Sequence, residues 1–351
     1  MLLRPASPIL PGAAVRTALH FRLAVAGRVL AAAVLAGVLA ACGGNGSGPV
    51  IDRGPTYIAL SADANGIYWD SGEAQLYLTD DNTNSLLVWD GDGKTSFSAY
   101  ASLPPLLPAA TPSQVSIGEL TRAADRTFYT ARFGFGNAGT IMTVNATRVA
   151  TNLGGLDPVR RRIAMTVTGA GELLTSWFTV PPSPNASSTN GNVSLLTVNG
   201  VNASERQLVT GLSKPVGVAV VGRTLYVSDQ TTGKLLSFPL DAVLATPRTA
   251  AQGTLVATFT ADLSVPANDN LDLLTAGPDG NLYVGGRGGK LYRVSPAGVV
   301  TQLDNINTVA APGLLQIRGI AVDAGNRRLF VVVHSTDLAR APNAVRIYPL
   351  N

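Results

Sequence analysis

The fold is decided by a short phrase of sequence, Leu225-Tyr226-Val227-Ser228-Asp229, and by the places where it recurs. An apolar and aromatic run of this length, bounded by turn-forming residues, is typical of a β-strand. Five related phrases with an apolar or aromatic start lie elsewhere in the chain; they begin at Leu76, Phe128, Leu173, Leu282 and Leu329. Successive copies start 52, 45, 52, 57 and 47 residues apart, so the chain is built from a repeat.

The repeat length predicts an all-β chain folded as a β-propeller. Periods of roughly 40 to 50 residues that hold about four short strands are typical of propeller blades. No long stretch of the sequence has helical periodicity, whereas short apolar runs separated by Gly, Asp and Asn occur throughout it. Six copies therefore predict six blades, within a domain that we expect to cover residues 55–351.

Both ends of this domain are expected to lie in one blade. The last repeat holds three apolar segments, at 319–323, 328–334 and 344–350, which provide only three strands. A further apolar segment at about residues 56–62 precedes the first repeat. We expect this N-terminal strand to complete the sixth blade and close the ring, because pairing the two ends leaves no long strand edge exposed.

The first 41 residues have the features of a signal peptide. This leader holds four arginines and no Lys, Asp or Glu, and its uncharged run at 29–41 is too short to span a bilayer of about 30 Å as a helix. The run ends in Leu39-Ala40-Ala41-Cys42, which resembles the lipobox of bacterial lipoproteins, and Cys42 is the only cysteine of the chain. The resemblance implies lipidation at Cys42. A plain secretory peptide with an unrelated cysteine is the alternative.

The residues after the leader extend this interpretation. Gly43 follows the cysteine, and in lipoproteins of this kind a residue other than Asp at that place implies transfer to the outer membrane. Residues 42–54 form a Gly- and Ser-rich flexible tether with a reach on the order of 20 Å. We therefore expect a bacterial outer-membrane lipoprotein that is attached to the membrane through Cys42 and faces the periplasm.

The charge of the chain gives no support for a nucleic-acid partner. The sequence holds 26 Lys and Arg against 22 Asp and Glu, for a net charge of +4. The four arginines of the leader account for this excess, so the remaining body carries 22 residues of each sign. A balanced body lacks the basic footprint with which proteins bind phosphate backbones.

The predicted loops differ in length on the two faces of the propeller. Loops between first and second strands are tight, as at 169–171, 221–223 and 277–280. The long loops lie mostly on the opposite face, which we call the long-loop face; they cover 103–114, 180–191, 261–270, 304–316 and 335–343. One long insertion, at 241–252, is expected on the other side. Because rigid scaffolds carry binding residues on loops, the long-loop face is the predicted binding surface.

Several phrases resemble a known family of propellers. Asn65-Gly66-Ile67-Tyr68-Trp69-Asp70 is similar to the opening blade of gluconolactonase and regucalcin-like propellers, and Lys214-Pro215-Val216-Gly217-Val218-Ala219 is similar to their later blades. The same phrases resemble NHL repeats, and the resemblance covers nearly the whole domain. It implies a central tunnel in which a Glu, two Asn and an Asp hold one divalent cation, often calcium. That cation would polarise a lactone carbonyl and activate water.

The residues of this chain depart from the ligand set that the resemblance implies. Asp272 matches the Asp, and Asn65 stands in the place of the Glu. Ile163 and Val216 stand in the places of the two Asn, and Arg318 occupies the equivalent position of the sixth blade, where we expect it to pair with Asp272. A hard cation normally takes roughly six to eight oxygens, and only Asn65 and Asp272 remain as candidate metal ligands.

Four further residues are candidates for a polar mouth of the tunnel. Asp80, Asp81 and Asp229 end second strands on the long-loop face, although Asp at such a place often bonds its own turn instead. His334 is the only histidine after the leader and ends a strand on the same face. One histidine cannot form a multi-histidine metal site, and the sequence has no Gly-x-Ser-x-Gly motif for a serine nucleophile. We favour a structural role for His334.

Two functions from different classes follow from these observations. The first is a lipid-anchored, periplasm-facing propeller that binds an unidentified small molecule or periplasmic protein through its long-loop face, without catalysis. The second is a metal-dependent lactonase or esterase, in which Asn65 and Asp272, with Asp229 as a further ligand, hold a divalent cation such as calcium. No other cofactor is expected.

Overall fold

The computed structural model describes residues 56–91, 93–105, 116–134, 138–180, 190–259, 271–308, 311 and 313–350. The predicted leader, the tether at 42–54 and the lipidation residue Cys42 lie outside these residues. The described part of the chain is a six-bladed β-propeller, so the fold predicted from the repeat is confirmed.

The six blades are antiparallel sheets of short strands that follow one another in sequence. Strand β1 (Thr56–Leu60) precedes the first blade. Blade 1 consists of β2 (Ile67–Asp70), β3 (Gln75–Asp80), β4 (Ser85–Trp89) and β5 (Ser98–Ser102), and blade 2 consists of β6 (Ile117–Arg122), β7 (Phe128–Arg132), β8 (Thr140–Val144) and β9 (Ala150–Asn152). Blade 3 contains β10 (Arg161–Val167), β11 (Leu173–Phe178), β12 (Gly191–Asn199) and β13 (Asn202–Leu212). Blade 4 consists of β14 (Pro215–Val221), β15 (Thr224–Asp229), β16 (Lys234–Pro239) and β18 (Thr254–Thr258), and blade 5 consists of β19 (Leu274–Ala276), β20 (Leu282–Gly285), β21 (Lys290–Val294) and β22 (Val300–Asn305). Blade 6 contains β23 (Leu315–Asp323), β24 (Arg328–Ser335) and β25 (Asn343–Pro349).

The ring is closed by the N-terminal strand, as the sequence predicts. Strand β1 pairs antiparallel with β25, the third strand of blade 6, and Ile58 lies opposite Val345 in this register. Ile58 is buried in a cluster that includes Phe330 and Val332 of the same blade. The side chain of Asn343 adds a hydrogen bond to the segment after β1, because its Nδ2 donates to the carbonyl of Ala62 at 2.7 Å.

The insertion at 241–252 gives blade 3 a fifth strand, where the repeat predicts about four. Between β16 and β18 the chain forms helix α1 (Leu240–Ala245), strand β17 (Arg248–Thr249) and a 3-10 helix (Ala250–Gln252). Strand β17 runs parallel to β13, and Leu240 and Val243 are buried beside Leu208. None of the helices in the described ranges has the length and apolarity needed to cross a membrane.

The inner strands approach one another closely around the tunnel, and bulges and glycines permit this approach. The pairing register shifts within β6, β10, β14 and β23, and such bulges redirect side chains. A Cβ atom at Gly118 would lie 2.3 Å from the carbonyl oxygen of Ile163, and one at Gly319 would lie 2.4 Å from that of Asn65. The bore of the tunnel is therefore set by backbone contacts between blades.

Candidate functional site

A cavity of about 390 Å³ lies at one end of the tunnel, at the starts of the inner strands. We call six of its lining residues, one from each blade, the upper ring: Asn65, Ile117, Ile163, Val216, Asp272 and Arg318. Blades 2 to 4 give the three apolar members, and blades 5, 6 and 1 give the three polar ones. One half of the ring is therefore apolar and the other half is polar.

A second group of residues, two positions further along each inner strand, lines a separate cavity of about 240 Å³. This lower ring consists of Ile67, Glu119, Met165, Val218, Leu274 and Ile320. Five of its members are apolar, and Glu119 is the exception. The upper ring is thus backed by an apolar layer that holds a single carboxyl group.

The polar half of the upper ring is organised around Arg318. Its Nη1 donates to Asn65 Oδ1 at 2.8 Å, and its Nη2 donates to Gln316 Oε1 at 3.0 Å. Asn65 Nδ2 in turn donates to Asp81 Oδ2 at 3.0 Å, and Asp81 Oδ1 accepts the backbone N–H of Ile117 at 2.8 Å. These four hydrogen bonds hold the guanidinium at the wall of the cavity.

Arg318 and Asp272, which are expected to pair, interact through their charges. Burial lowers the pKa of Arg318, and the charge of Asp272 is the largest influence that opposes this lowering. The hydrogen bonds described for the guanidinium go to Asn65 and Gln316. Asp272 is itself fixed by its backbone, whose N–H donates to the carbonyl of Gly285 at 2.8 Å.

Positively charged side chains dominate the cavity wall. Among the residues that the structure describes, four cations and one carboxyl group line it; the cations are Arg161, Lys214, Arg287 and Arg318, and the carboxyl group is that of Asp272. Because the body of the chain carries equal numbers of acidic and basic residues, this excess is local. The mouth of the tunnel is therefore a positive region in a protein whose total charge does not reveal it.

Two phenylalanines extend the apolar half of the cavity, and a cation lies beside the ring of each. Phe133 and Phe178 pack edge to face with their ring centroids 5.8 Å apart. The guanidinium of Arg161 lies 5.2 Å from the centroid of Phe133, and Lys214 Nζ lies 5.8 Å from that of Phe178. These distances are within the range of cation–π attraction.

Gln230 supplies a buried acceptor to the same cavity. Its side chain is only 3% exposed, and its Nε2 donates to the carbonyl of Leu271 at 2.5 Å. Its Oε1 atom is buried and has no hydrogen-bond partner among the residues that the structure describes. A ligand that offers a hydrogen-bond donor would satisfy this oxygen.

Burial raises the pKa of two carboxyl groups near the rings. Burial raises the pKa of Glu119 well above its usual value, although the backbone N–H of Met165 donates to it at 3.1 Å. Burial likewise raises the pKa of Asp81 to about 8, against the opposing effect of the Ile117 N–H. A raised pKa favours the neutral form of each carboxyl group, which reduces the negative charge beside the cations of the cavity.

His334 forms a pair with Asp63 beside the polar half of the ring. Its Nδ1 lies 2.8 Å from Asp63 Oδ1. This contact lowers the pKa of Asp63, and the charge of Arg318 adds to the lowering. His334 lies opposite Gln316 in the β23–β24 pair, next to the network of Arg318. Neither His334 nor Asp63 is among the residues that line the cavity.

Asp80 and Asp229, which are also predicted for the mouth of the tunnel, accept hydrogen bonds from backbone N–H groups. Asp80 accepts the N–H groups of Asp63 and Asn82, each at 3.0 Å. Asp229 accepts the N–H groups of Ser213 and Lys214, each at 2.9 Å. Both carboxylates are buried and lie outside the cavity lining, so the turn role that the sequence offered as the alternative matches their contacts. Asp229 fixes the start of the segment that carries Lys214.

The upper ring does not fit the divalent cation that the family resemblance implies. Ile163 and Val216 have no atom that can coordinate a metal, and Ile117 adds a third apolar neighbour. The amide oxygen of Asn65 already accepts a hydrogen bond from the Arg318 guanidinium, which repels a cation. Within the described ranges no cluster of three or more His, Cys, Asp or Glu could hold a metal ion.

Asn65, Asp272 and Arg318 of the cavity wall are predicted from the sequence, whereas most of the remaining wall is not. A positional signal for several of these residues was present in the repeat. The sixth residue of each copy of the repeated phrase lies at the mouth of the tunnel, in the cavity wall or beside it; these residues are Asp81, Phe133, Phe178, Gln230, Arg287 and His334. Arg161 begins β10 and Lys214 precedes β14, and no repeated phrase marks either position.

The fold is shared with solved propellers of low sequence identity. A luciferin-regenerating enzyme matches with a TM-score of 0.60 at 16% identity, over 85% of this chain and 96% of that one. Regucalcin from Agrobacterium tumefaciens, a calcium-binding protein, matches with a TM-score of 0.57 at 14% identity, over 84% and 94%. A gluconolactonase from Xanthomonas campestris matches with a TM-score of 0.58 at 17% identity, over 84% and 88%.

No protein-family model matches the sequence, and a search of curated proteins finds no significant match. At these identities the structural likeness establishes the fold alone. The chain has the fold of a gluconolactonase-like six-bladed propeller, while the residues of its upper ring differ from the metal ligands that the family resemblance implies.

Proposed function

We propose that this protein is a binding propeller, which takes a small molecule into the cavity at the tunnel mouth without a metal ion and without converting it. The observation that carries the proposal is the hydrogen bond between Arg318 and Asn65. It places a guanidinium at the wall where a metal-dependent relative would need oxygen ligands. A cavity of about 390 Å³ lies within the usual range for small-molecule sites.

The polar groups around the cavity support binding more than catalysis. Hydrolysis needs an activated nucleophile or water, and activation needs a base or a Lewis acid. His334 pairs with Asp63 outside the cavity lining, and Asp229 is engaged by two backbone N–H groups. The alternative, a metal-dependent lactonase or esterase, is supported by the shared fold and opposed by the composition of the upper ring.

The lipid anchor and the periplasmic location belong to the same proposal and rest on the sequence around Cys42. A Cys42→Ser variant should be lost from the membrane fraction and appear as a soluble or unprocessed protein. Metabolic labelling with a fatty acid should mark the natural protein and not the variant. Labelling of both proteins would contradict lipidation at Cys42.

Thermal unfolding with metal ions tests the choice between binding and metal-dependent hydrolysis. A ligand present at about 100 times its Kd stabilises the folded state by about 2.7 kcal/mol, which raises the melting temperature by several degrees. We expect calcium, zinc and EDTA to leave the melting temperature unchanged, and we expect no hydrolysis of simple lactones. A calcium-dependent rise that disappears in Asp272→Asn, together with lactone hydrolysis, would overturn the proposal.

A further inference from the structure

The electrostatics of the cavity identify the class of its ligand, and this inference rests on the proposed function. Among the described residues, four cations and one carboxyl group line the wall. Burial raises the pKa of the nearest buried acids, Glu119 and Asp81, and Asp63 is paired with His334. Opposite charge on a ligand is therefore favoured in this enclosed site.

Arg318 is arranged to receive an anion. A guanidinium has five N–H donors, and the described contacts use one on each Nη atom. Its Nε is buried and has no hydrogen-bond partner among the described residues. Asn65 and Gln316 fix the plane of the group from within the protein, so the remaining donors are oriented in advance. A planar fork of this kind matches the two oxygens of a carboxylate.

The other half of the cavity requires an apolar group on the same ligand. Ile117, Ile163 and Val216 form the apolar half of the upper ring, and Phe133 and Phe178 lie with them in the wall. These side chains carry no nitrogen or oxygen atom, so this half offers no hydrogen-bonding side chain to a ligand. A small inorganic anion or a fully hydroxylated one would leave this surface without a complementary partner.

We propose that the cavity binds an organic carboxylate with an aromatic or aliphatic body, whose carboxylate lies against Arg318 and whose body lies against the apolar half of the upper ring. Arg161, Lys214 and Arg287 supply the attractive potential around it. Gln230 Oε1 provides an acceptor for a hydroxyl or amide hydrogen on the ligand.

The test compares carboxylic acids with their neutral amides on the purified full-length protein. The probes are benzoate with benzamide, phenylacetate with phenylacetamide, 3-phenylpropionate with 3-phenylpropionamide, and acetate with inorganic phosphate as anions that lack a body. Calorimetric titration gives each Kd. We expect the best acid to bind roughly tenfold or more tightly than its amide, and acetate and phosphate to bind more weakly than the best acid.

Charge-removing variants locate the interaction. Arg318→Gln and Lys214→Gln should each weaken binding of the best acid by roughly tenfold while leaving its amide unaffected. Arg223→Gln is the matched control, because Arg223 is an exposed arginine in a tight turn, paired with Glu172 and Asp241 away from the cavity. It should bind the acid with unchanged affinity. Melting temperatures show whether each variant is folded. If Arg318→Gln does not fold, Lys214→Gln alone provides the test.

The possible outcomes separate the two proposals. Amides that bind as tightly as acids, and variants that do not discriminate between them, would overturn the carboxylate inference while leaving a ligand-binding cavity. Failure of every acid to bind would overturn the inference as well. Calcium-dependent stabilisation with lactone turnover would overturn the proposed function itself, whatever the acids do.

Discussion

At the scale of single residues, Glu119 and Arg318 show how burial sets the chemistry of the tunnel. Both carry an ionisable group in the inner wall of the propeller, and burial disfavours the charged form of each. Nearby Asp272 opposes this effect at Arg318 and reinforces it at Glu119. The same carboxyl group therefore helps to keep one neighbour charged and the other neutral.

Glu119 makes the stability of the protein depend on pH. Its folded-state pKa is raised well above 4.5, so above that pH the folded protein keeps a proton that the unfolded chain releases. The free energy of unfolding should consequently fall as the pH rises from about 5 toward the folded-state pKa. Glu119→Gln, which mimics the protonated group, should lose this decline and be more stable than the natural protein at pH 8.

Urea denaturation at pH 5 and pH 8 measures this difference. Asp125→Asn changes an exposed turn carboxylate and is the control, for which we expect the same pH dependence as in the natural protein. Equal loss of stability between the two pH values in Glu119→Gln and in the natural protein would show that Glu119 ionises normally in the folded state.

At the scale of the strands, glycines decide how closely the blades approach the axis. Gly118→Ala would place a Cβ 2.3 Å from the carbonyl oxygen of Ile163 in the next blade, so backbone must move. We expect a loss of about 1–3 kcal/mol in the free energy of unfolding, as for other overpacked sites. Gly169→Ala, in a tight turn with open space around its Cβ, should change stability by less than about 0.5 kcal/mol. Chemical denaturation of both variants is the measurement, and equal losses would refute the close contact.

The strands were the most predictable part of this molecule, and the reason is physical. Each second strand must bury an apolar face against its neighbours, so phrases such as that at 225–229 recur at blade spacing. The fifth strand of blade 3 was not predictable, because the two residues of β17 carry no strand pattern. Among the site residues, Asn65, Asp272 and Arg318 could be placed because the family resemblance marks their positions near the starts of the inner strands. Arg161 and Lys214 could not, since the total charge conceals where cations gather.

At the scale of the whole molecule, the ring depends on the pairing of β1 with β25. Ile58 is 7% exposed within the core of blade 6, whereas its neighbour Tyr57 is 68% exposed. Ile58→Ala should lower the free energy of unfolding by about 2–5 kcal/mol, and Tyr57→Ala should have little effect. Guanidinium denaturation followed by tryptophan fluorescence measures both. A small effect of Ile58→Ala would mean that the ring is stable without the packing of this strand.

The closing strand also sets the order in which the molecule can be completed. Thr56 pairs with Ile347, so β1 finds its partner only when β25, the last of the described strands, is available. The five other blades can form from neighbouring segments as the chain emerges, but blade 6 must wait. A polypeptide interrupted before β25 therefore leaves the edge of β1 unpaired, and an unpaired edge is open to pairing with another chain.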